Sequence, residues 1–363
     1  MTSQGPVAVV GGGLAGVACA HALGDEGVGV VLVDRNDYHQ FQPLLYQVAT
    51  SQLPAEDIAR PHRTIFRDYP TVEVVTAYVD EMSLADRTLR LADGRTLTGS
   101  QVVLAAGARP NFFGVPGAAE HAFPLYSVAD AERLRLHLQE QVKASEEGSS
   151  QGDGTLDVVV VGGGPTGVET TGALVELMTA WEKTGRTPYR GQVTLVDRGT
   201  ALLGAFNQKA HRYSLGKLTG HGVTVKLAAG VASVHPDHVE FDDGTTIRVR
   251  TVVWGGGESA SAVARNSGPD PGRGGRIDVT PELTVPGFPG AFAIGDVANI
   301  PAADGTTLPQ LGSVAQQSGA WAAENILRAQ RGDPLKPFHY KDKGIMAMIG
   351  RNAAVAEVGK HRH

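Results

Sequence analysis

The chain carries nearly the same pattern twice, and no other feature restricts its fold as tightly. The first copy runs through the apolar stretch Val7-Ala8-Val9-Val10, the loop GGGLAG from Gly11 to Gly16, an alanine-rich stretch, a second apolar run from Val30 to Val33, and Asp34-Arg35. The second runs through Val158 to Val161, GGGPTG from Gly162 to Gly167, a helical stretch, Val193 to Val196, and Asp197-Arg198. Further on, DGRTLTGSQVVLAAG (Asp93 to Gly107) and DGTTIRVRTVVWGGG (Asp243 to Gly257) repeat one turn-strand-strand-glycine order at equal length. Agreement over four separate blocks marks a duplicated strand-loop-helix-strand unit. Runs such as Val102-Val103-Leu104 and Thr251-Val252-Val253 lack polar alternation and suit strands buried on both faces of a parallel sheet.

A pyrophosphate approaches backbone only where side chains are absent, and a helix N-terminus supplies free N–H groups and the positive end of a dipole to hold it. Gly11, Gly13 and Gly16, with Gly12, Leu14 and Ala15 between them, provide that geometry in the first copy; Gly162, Gly164 and Gly167 provide it in the second. Asp34 and Asp197 end the strands that follow, where an acid accepts a hydrogen bond from a ribose hydroxyl. An acid at Asp197 favours the free 2'-hydroxyl of NADH over the phosphate of NADPH. Arg35 and Arg198 occupy matching places after the acids and read as solvated strand-end charges, with Arg35 counted among the cofactor-binding residues. The expected fold is α/β, with two Rossmann-like dinucleotide-binding domains.

At 363 residues the chain suits two or three domains of roughly 100–150 residues each. The polar run SEEGSSQGDG (Ser145 to Gly154) reads as an exposed crossing into the second domain, and PDPGRGG (Pro269 to Gly275) as the return. The expected organisation places the first domain at 1–120 and 271–330, the second, inserted, at 121–270, and a short C-terminal segment at 331–363. The 47 glycines, about twice the usual share, fit many tight turns.

Lys and Arg number 32 against 38 Asp and Glu, and no basic cluster is interleaved with aromatics, so nucleic acid is not an expected partner. The N-terminus lacks the positive residues of a signal peptide, and no run reaches the roughly 18 apolar residues of a membrane span. A cytoplasmic protein is expected, with peripheral attachment to the inner face of the cell membrane left open, as is a homodimer. Cys19 is the single cysteine, which excludes an internal disulfide and a redox-active pair, and with them the disulfide reductases and sulfide:quinone oxidoreductases. The twelve histidines include His39, His121 and His235 in separate segments, and no metal is expected.

Beyond the glycine loops, Asn36-Asp37-Tyr38-His39-Gln40-Phe41-Gln42-Pro43-Leu44-Leu45-Tyr46-Gln47-Val48-Ala49 resembles the signature that type II NADH dehydrogenases carry after the second strand. These are single-chain NADH:quinone oxidoreductases among the two-dinucleotide flavoproteins, and the similarity runs essentially from end to end. The resemblance implies FAD on the first loop, with Pro43 and Leu44 beside the isoalloxazine. It implies that Ala105-Ala106-Gly107 closes over the FAD and that the Asp296 carboxylate, after Gly295, binds the ribityl chain. Val314 and Ala315 are counted with the FAD site and Gly256 with the NADH site. Glu169, in GGGPTGVE, matches the carboxylate that approaches the nicotinamide and flavin edges. Lys343, in DKGIMAMIGRNAAVAE, matches a lysine kept close to the flavin, where a fixed cation stabilises an anionic reduced ring.

Two departures from that pattern stand out. The family typically shows two glutamines four apart on the quinone-facing helix; here Gln317 keeps the second position and Ser313 replaces the first. Family members also continue past the GRNxAVA block into amphipathic membrane helices, whereas this sequence stops at Gly359-Lys360-His361-Arg362-His363, so 331–363 is either a truncated membrane-associating region or the tail of an enzyme that works without one.

The expected activity is FAD-dependent oxidation of NADH by hydride transfer to flavin N5, followed by two-electron reduction of a quinone. The alternatives are a soluble flavoprotein reductase serving a ferredoxin- or rubredoxin-type carrier, one serving a quinonoid secondary metabolite, and a non-enzymatic protein whose flavin reports the NADH level.

Overall fold

The computed structural model describes residues 5–148, 150–358 and 361–362. The chain forms two compact units, each assembled from three segments. Unit 1 comprises Met1–Phe41, Ala59–Arg109 and Glu258–Asp342, and unit 2 comprises Gln42–Ile58, Pro110–Gly257 and Lys343–His363.

In unit 1, β1 (Val7–Val10) passes through the first glycine loop into α1 (Leu14–Asp25) and returns as β2 (Val30–Asp34). β3 (Val72–Thr76) and β4 (Val102–Leu104) follow. With the strand Ala291–Ala293 they form one parallel sheet in the order Ala291–Ala293, β4, β1, β2, β3. Val7, Val9, Leu32 and Val102 to Leu104 are fully buried, as their unbroken apolar runs require. β2 and β4 flank β1 on opposite sides, so the chain reverses direction beside the C-terminal end of β1, where open α/β sheets bind their ligands. The helix Gly312–Arg331 lies along α1 so closely that a Cβ on Gly319 would stand 2.2 Å from the Ala15 carbonyl oxygen. It stops at Gly332, whose φ of +76° is the left-handed turn that glycine allows at a helix end.

Unit 2 repeats the plan. β5 (Ala122–Pro124) and α2 (Val128–Glu146) precede β6 (Val158–Val161), α3 (Pro165–Lys183), β7 (Val193–Val196), β8 (Thr224–Lys226) and β9 (Thr251–Trp254). The parallel sheet runs β5, β9, β6, β7, β8, the same order of roles as in unit 1. Val158 pairs with Val193 as Val7 pairs with Val30. Each unit also carries a three-stranded antiparallel meander between its third strand and the strand that crosses to the far side of the sheet. That of unit 1 spans Val79–Ser83, Thr88–Leu91 and Thr96–Thr98; that of unit 2 spans Val231–Val234, His238–Phe241 and Thr246–Arg248.

The chain changes unit at Arg109/Pro110 and Gly257/Glu258, so the polar run Ser145 to Gly154 lies inside unit 2 and Pro269 to Gly275 inside unit 1. Polar, glycine-rich composition reports exposure, which loops on one unit share with loops that cross between two. Two further segments join unit 2. Gln42–Ile58 contributes the short helix Leu45–Ala49, which buries Leu45, Tyr46, Val48 and Ala49. The antiparallel strands Ile345–Gly350 and Ala353–Val358 pack on α3, where a Cβ on Gly172 would come 2.0 Å from the Ile349 carbonyl oxygen. Among the described residues no helix is long and apolar enough to cross a membrane.

Candidate functional site

The first glycine loop is shaped by backbone contact. Gly11 has φ +107°, and a Cβ there would lie 2.4 Å from the Ala105 carbonyl oxygen; one on Gly16 would lie 1.8 Å from the Gly11 carbonyl oxygen. Both positions therefore exclude any side chain, whereas nothing stands within 4 Å of a Cβ placed on Gly13, which faces open space. Gly13 is the N-cap of α1 and supplies no side-chain cap. The first-turn N–H groups are left for an external acceptor, as a bound pyrophosphate would be.

Asp34 braces this loop. Its Oδ2 accepts from the Gly12 N–H at 2.5 Å and its Oδ1 from the Asn36 N–H at 2.7 Å. A carboxylate has about four acceptor sites, so a ribose hydroxyl still finds a lone pair there. Two histidines hold the next peptide, on the other side of the Gly12 Cα: His39 Nδ1 lies 3.0 Å and His62 Nε2 3.1 Å from the Gly12 carbonyl oxygen. A carbonyl only accepts, so both rings donate. Burial lowers the His39 pKa, which keeps that ring neutral with its proton on Nδ1. His62 is fully buried and its Nδ1 has no hydrogen-bond partner. Neither histidine lies in the glycine motif, so the sequence pattern does not single them out.

The second loop reproduces the first. Gly162 has φ +112° and a Cβ there would stand 2.8 Å from Gly255 and Gly256, while one on Gly167 would stand 1.7 Å from the Gly162 carbonyl oxygen. Gly164 faces open space, and α3 begins there without a side-chain cap and with Pro165 in its first turn. Asp197 Oδ2 accepts from the Gly163 N–H at 2.5 Å and Oδ1 from the Gly199 N–H at 2.5 Å. The carbonyl of Gly163 is met by the Leu203 N–H at 2.7 Å, so a backbone donor does here what two imidazoles do in unit 1. Arg35 and Arg198 are both exposed, the latter paired loosely with Asp242 at 3.6 Å.

The remaining residues of unit 1 gather at the end of α1. Gly295 (φ +68°) would press a Cβ to 2.9 Å from Ala15, with Ala315 next at 3.5 Å; Val314 and Ala315 are buried. Among the described residues no protein group donates to the Asp296 carboxylate. Burial, then Glu258, pushes its pKa up to about 6, against the pull of Arg276. A buried acid lacking donors is what a polyol chain would satisfy. Ala106 and Gly107, with Gly107 at φ +65°, continue from β4 past Gly11. The open Gly13, the uncapped α1 and the unsatisfied Asp296 thus fit a flavin dinucleotide.

On the long helix, Ser313 Oγ lies 2.8 Å from the Tyr340 hydroxyl. One turn on, the Gln317 amide meets Lys341 twice: its Nε2 donates to the Lys341 carbonyl and its Oε1 accepts the Lys341 N–H, both at 3.0 Å. Gln317 is therefore already engaged as a clamp on the backbone, with one N–H and one lone pair left over.

In unit 2, Glu169 is half-buried on α3 and its Oε1 accepts the Met348 N–H at 3.0 Å. Burial pushes its pKa up to about 7, and the Met348 bond offsets this in part. Lys343 and Pro43 are exposed and Leu44 half-buried. Cys19, on α1, is fully buried, which pushes its thiol pKa up to about 12.

The family model for pyridine nucleotide-disulphide oxidoreductases matches residues 5–319. The type II NADH:quinone oxidoreductase NdhA of Mycobacterium tuberculosis is 34% identical over 98% of this chain and 79% of its own length. A type II NADH:quinone oxidoreductase of Staphylococcus aureus is 27% identical over 97% of this chain and 89% of its own. A solved NDH2 from Plasmodium falciparum in complex with NADH superposes with a TM-score of 0.91 at 16% identity, covering 99% of this chain and 91% of that one, and so shares the fold. Matched glycine loops, duplicated sheets and near full-length similarity lead to one assignment: the chain belongs to the type II NADH:quinone oxidoreductases, within the pyridine nucleotide-disulphide oxidoreductase family.

Proposed function

We propose that this protein oxidises NADH with the help of FAD and passes the electron pair to a quinone. The observation that carries the reading is the pair of uncapped helix N-termini over equivalent glycine loops, in a chain of this family whose one cysteine is buried. FAD, when bound, supplies the two-electron chemistry that joins NADH oxidation to reduction of the acceptor. In unit 1, Gly11, Gly12, Gly13 and Gly16 would cradle its pyrophosphate, Asp34 its ribose and Asp296 its ribityl chain. In unit 2, Gly162, Gly164 and Gly167 hold the NADH pyrophosphate and Asp197 the 2'-hydroxyl, with Gly256 beside the loop.

Glu169, with a pKa near neutrality, is the group of unit 2 that can hold a proton at its Oε2, since Oε1 is occupied by the Met348 N–H. Lys343 is an exposed cation suited to offset negative charge on the reduced partner. The Ser313–Tyr340 pair and Gln317 offer hydroxyl and amide groups to a quinone head. With no dithiol to relay electrons, the acceptor must be external, and the family assignment favours a quinone over a carrier protein.

The test is NADH consumption by the FAD-loaded protein with a soluble quinone, a ferredoxin or oxygen alone as oxidant. Quinone should give the fastest turnover; a faster rate with the carrier overturns the reading. Peripheral membrane contact extends the proposal, because quinones with isoprenoid tails reside in lipid, and pairing of two copies is a separate extension. Vesicle flotation and light scattering test those extensions.

A further inference from the structure

The meander of unit 2 brings together three groups of metal-binding chemistry outside both dinucleotide sites. Its first hairpin turns through Pro236-Asp237, closed by the His235 N–H donating to the His238 carbonyl at 2.9 Å. His235 and His238 therefore face each other directly across the turn, and Ser233 pairs with Glu240 two residues further along each strand. Side chains two apart on a strand share a face, so register alone places Ser233, His235, His238 and Glu240 on one side of the hairpin tip.

Ligand atoms of His235, His238 and Glu240 lie within 4.8 Å of one another. His238 Nε2 is 3.8 Å from Glu240 Oε1, and His235 Nε2 is 4.0 Å from Glu240 Oε2. Ligands of a tetrahedral ion with bonds of about 2.1 Å stand roughly 3.4 Å apart, so closure asks each histidine–glutamate pair to contract by about half an ångström. The imidazole rings, stacked at 4.2 Å and 6°, must also rotate for their lone pairs to converge. At a hairpin tip, with the histidines half-buried and Glu240 exposed, both movements have room.

Asp237 favours ligation, and the bonds of Ser233 are the ones a cation must replace. Asp237 Oδ1 accepts from His238 Nδ1 at 2.7 Å, which puts the proton on Nδ1 and leaves the Nε2 lone pair free, the arrangement found behind metal-bound histidines. Ser233 Oγ donates to Glu240 Oε2 at 2.8 Å and lies 2.9 Å from His235 Nε2, where the ring proton is the one an incoming cation would displace. Two imidazoles and a single carboxylate select borderline transition metals over calcium or magnesium, which take oxygen ligands.

We propose that His235, His238 and Glu240 form a surface site for one divalent ion of the zinc class, with Asp237 as the positioning residue for His238. Calorimetric titration of chelator-treated, FAD-loaded protein with zinc chloride tests it. The expected result is one saturable site, abolished in the double variant His235→Gln/His238→Gln and weakened roughly ten- to hundred-fold in Asp237→Asn. The sequence also carries His361 and His363, and their double change to Gln should leave the affinity unaltered. Equal binding by wild type and the His235/His238 variant overturns the proposal, as does loss of binding with the C-terminal pair alone. Should the double variant misfold, Glu240→Gln decides the matter: cobalt(II) must lose the visible bands of its four-coordinate complex in that variant, and bands that persist refute the site.

Discussion

A crossed pair of substitutions, Asp34→Asn and Asp197→Asn, tests which loop holds which dinucleotide. Each carboxylate accepts two backbone N–H groups, one of them from the central glycine of its loop. Asparagine keeps one acceptor oxygen but points an NH2 at the second donor, so one charge-assisted bond is lost and a backbone N–H is left facing another donor. A bond to a charged acceptor contributes roughly 1.5–3 kcal/mol in partly buried surroundings. If about 2 kcal/mol of that goes into keeping the loop in its binding geometry, dinucleotide affinity falls roughly 30-fold, since 1.4 kcal/mol is tenfold. The Gly199 bond of Asp197 is exposed, which puts the NADH effect at the lower end.

Asp34→Asn should therefore lose FAD on dialysis, read as the ratio of flavin to protein absorbance, and recover it with added FAD. Asp197→Asn should keep its FAD and require about tenfold more NADH for half-maximal flavin reduction. Folding is checked by circular dichroism in both. Exchanged effects, equal loss of FAD from both variants, or changes of no more than twofold in either would refute this assignment of the loops.

Other consequences follow from individual residues. The folded-state pKa of Glu169, about 7, lies above its unfolded value near 4.5, so its contribution to stability is fully present below pH 4.5 and disappears as pH rises to about 7. The shift corresponds to roughly 3 kcal/mol at most; thermal melts of wild type should fall over this window relative to those of Glu169→Gln, and parallel curves would rule the shift out. Gly167→Val forces a side chain into the Gly162 carbonyl and should abolish NADH-dependent flavin reduction while bound flavin persists; retained reduction would sink the steric account. Gln317→Ala removes two bonds to Lys341 and should lower stability by about 1–2 kcal/mol in urea titrations; an unchanged midpoint would show that the clamp contributes nothing. The buried Cys19 should resist thiol reagents in the native protein and react once unfolded, and fast native labelling would contradict its burial.

Legibility in the sequence followed the range of the physical constraint. The loops at Gly11 and Gly162 could be read because each is a local necessity: a strand must end, a backbone must approach backbone, and a helix must start within six residues. The place of Asp34 and Asp197 was half legible. Spacing put an acid at the strand end, but only folding shows that it holds the loop peptide itself. His62 was invisible, because its approach to Gly12 is fixed by the β2-to-β3 crossing and not by any motif. The two compact units are not legible in composition for a related reason: Gln42–Ile58 and Lys343–His363 join unit 2 through packing of the helix Leu45–Ala49 and the last strands, which composition cannot report. The hairpin at Ser233 to Glu240 is the instructive opposite. Its alternation S-x-H-P-D-H-x-E, read as two strands around a two-residue turn, already places both histidines and the glutamate on one face. A histidine judged by its own segment looks isolated; judged by the register that its turn imposes, it has neighbours.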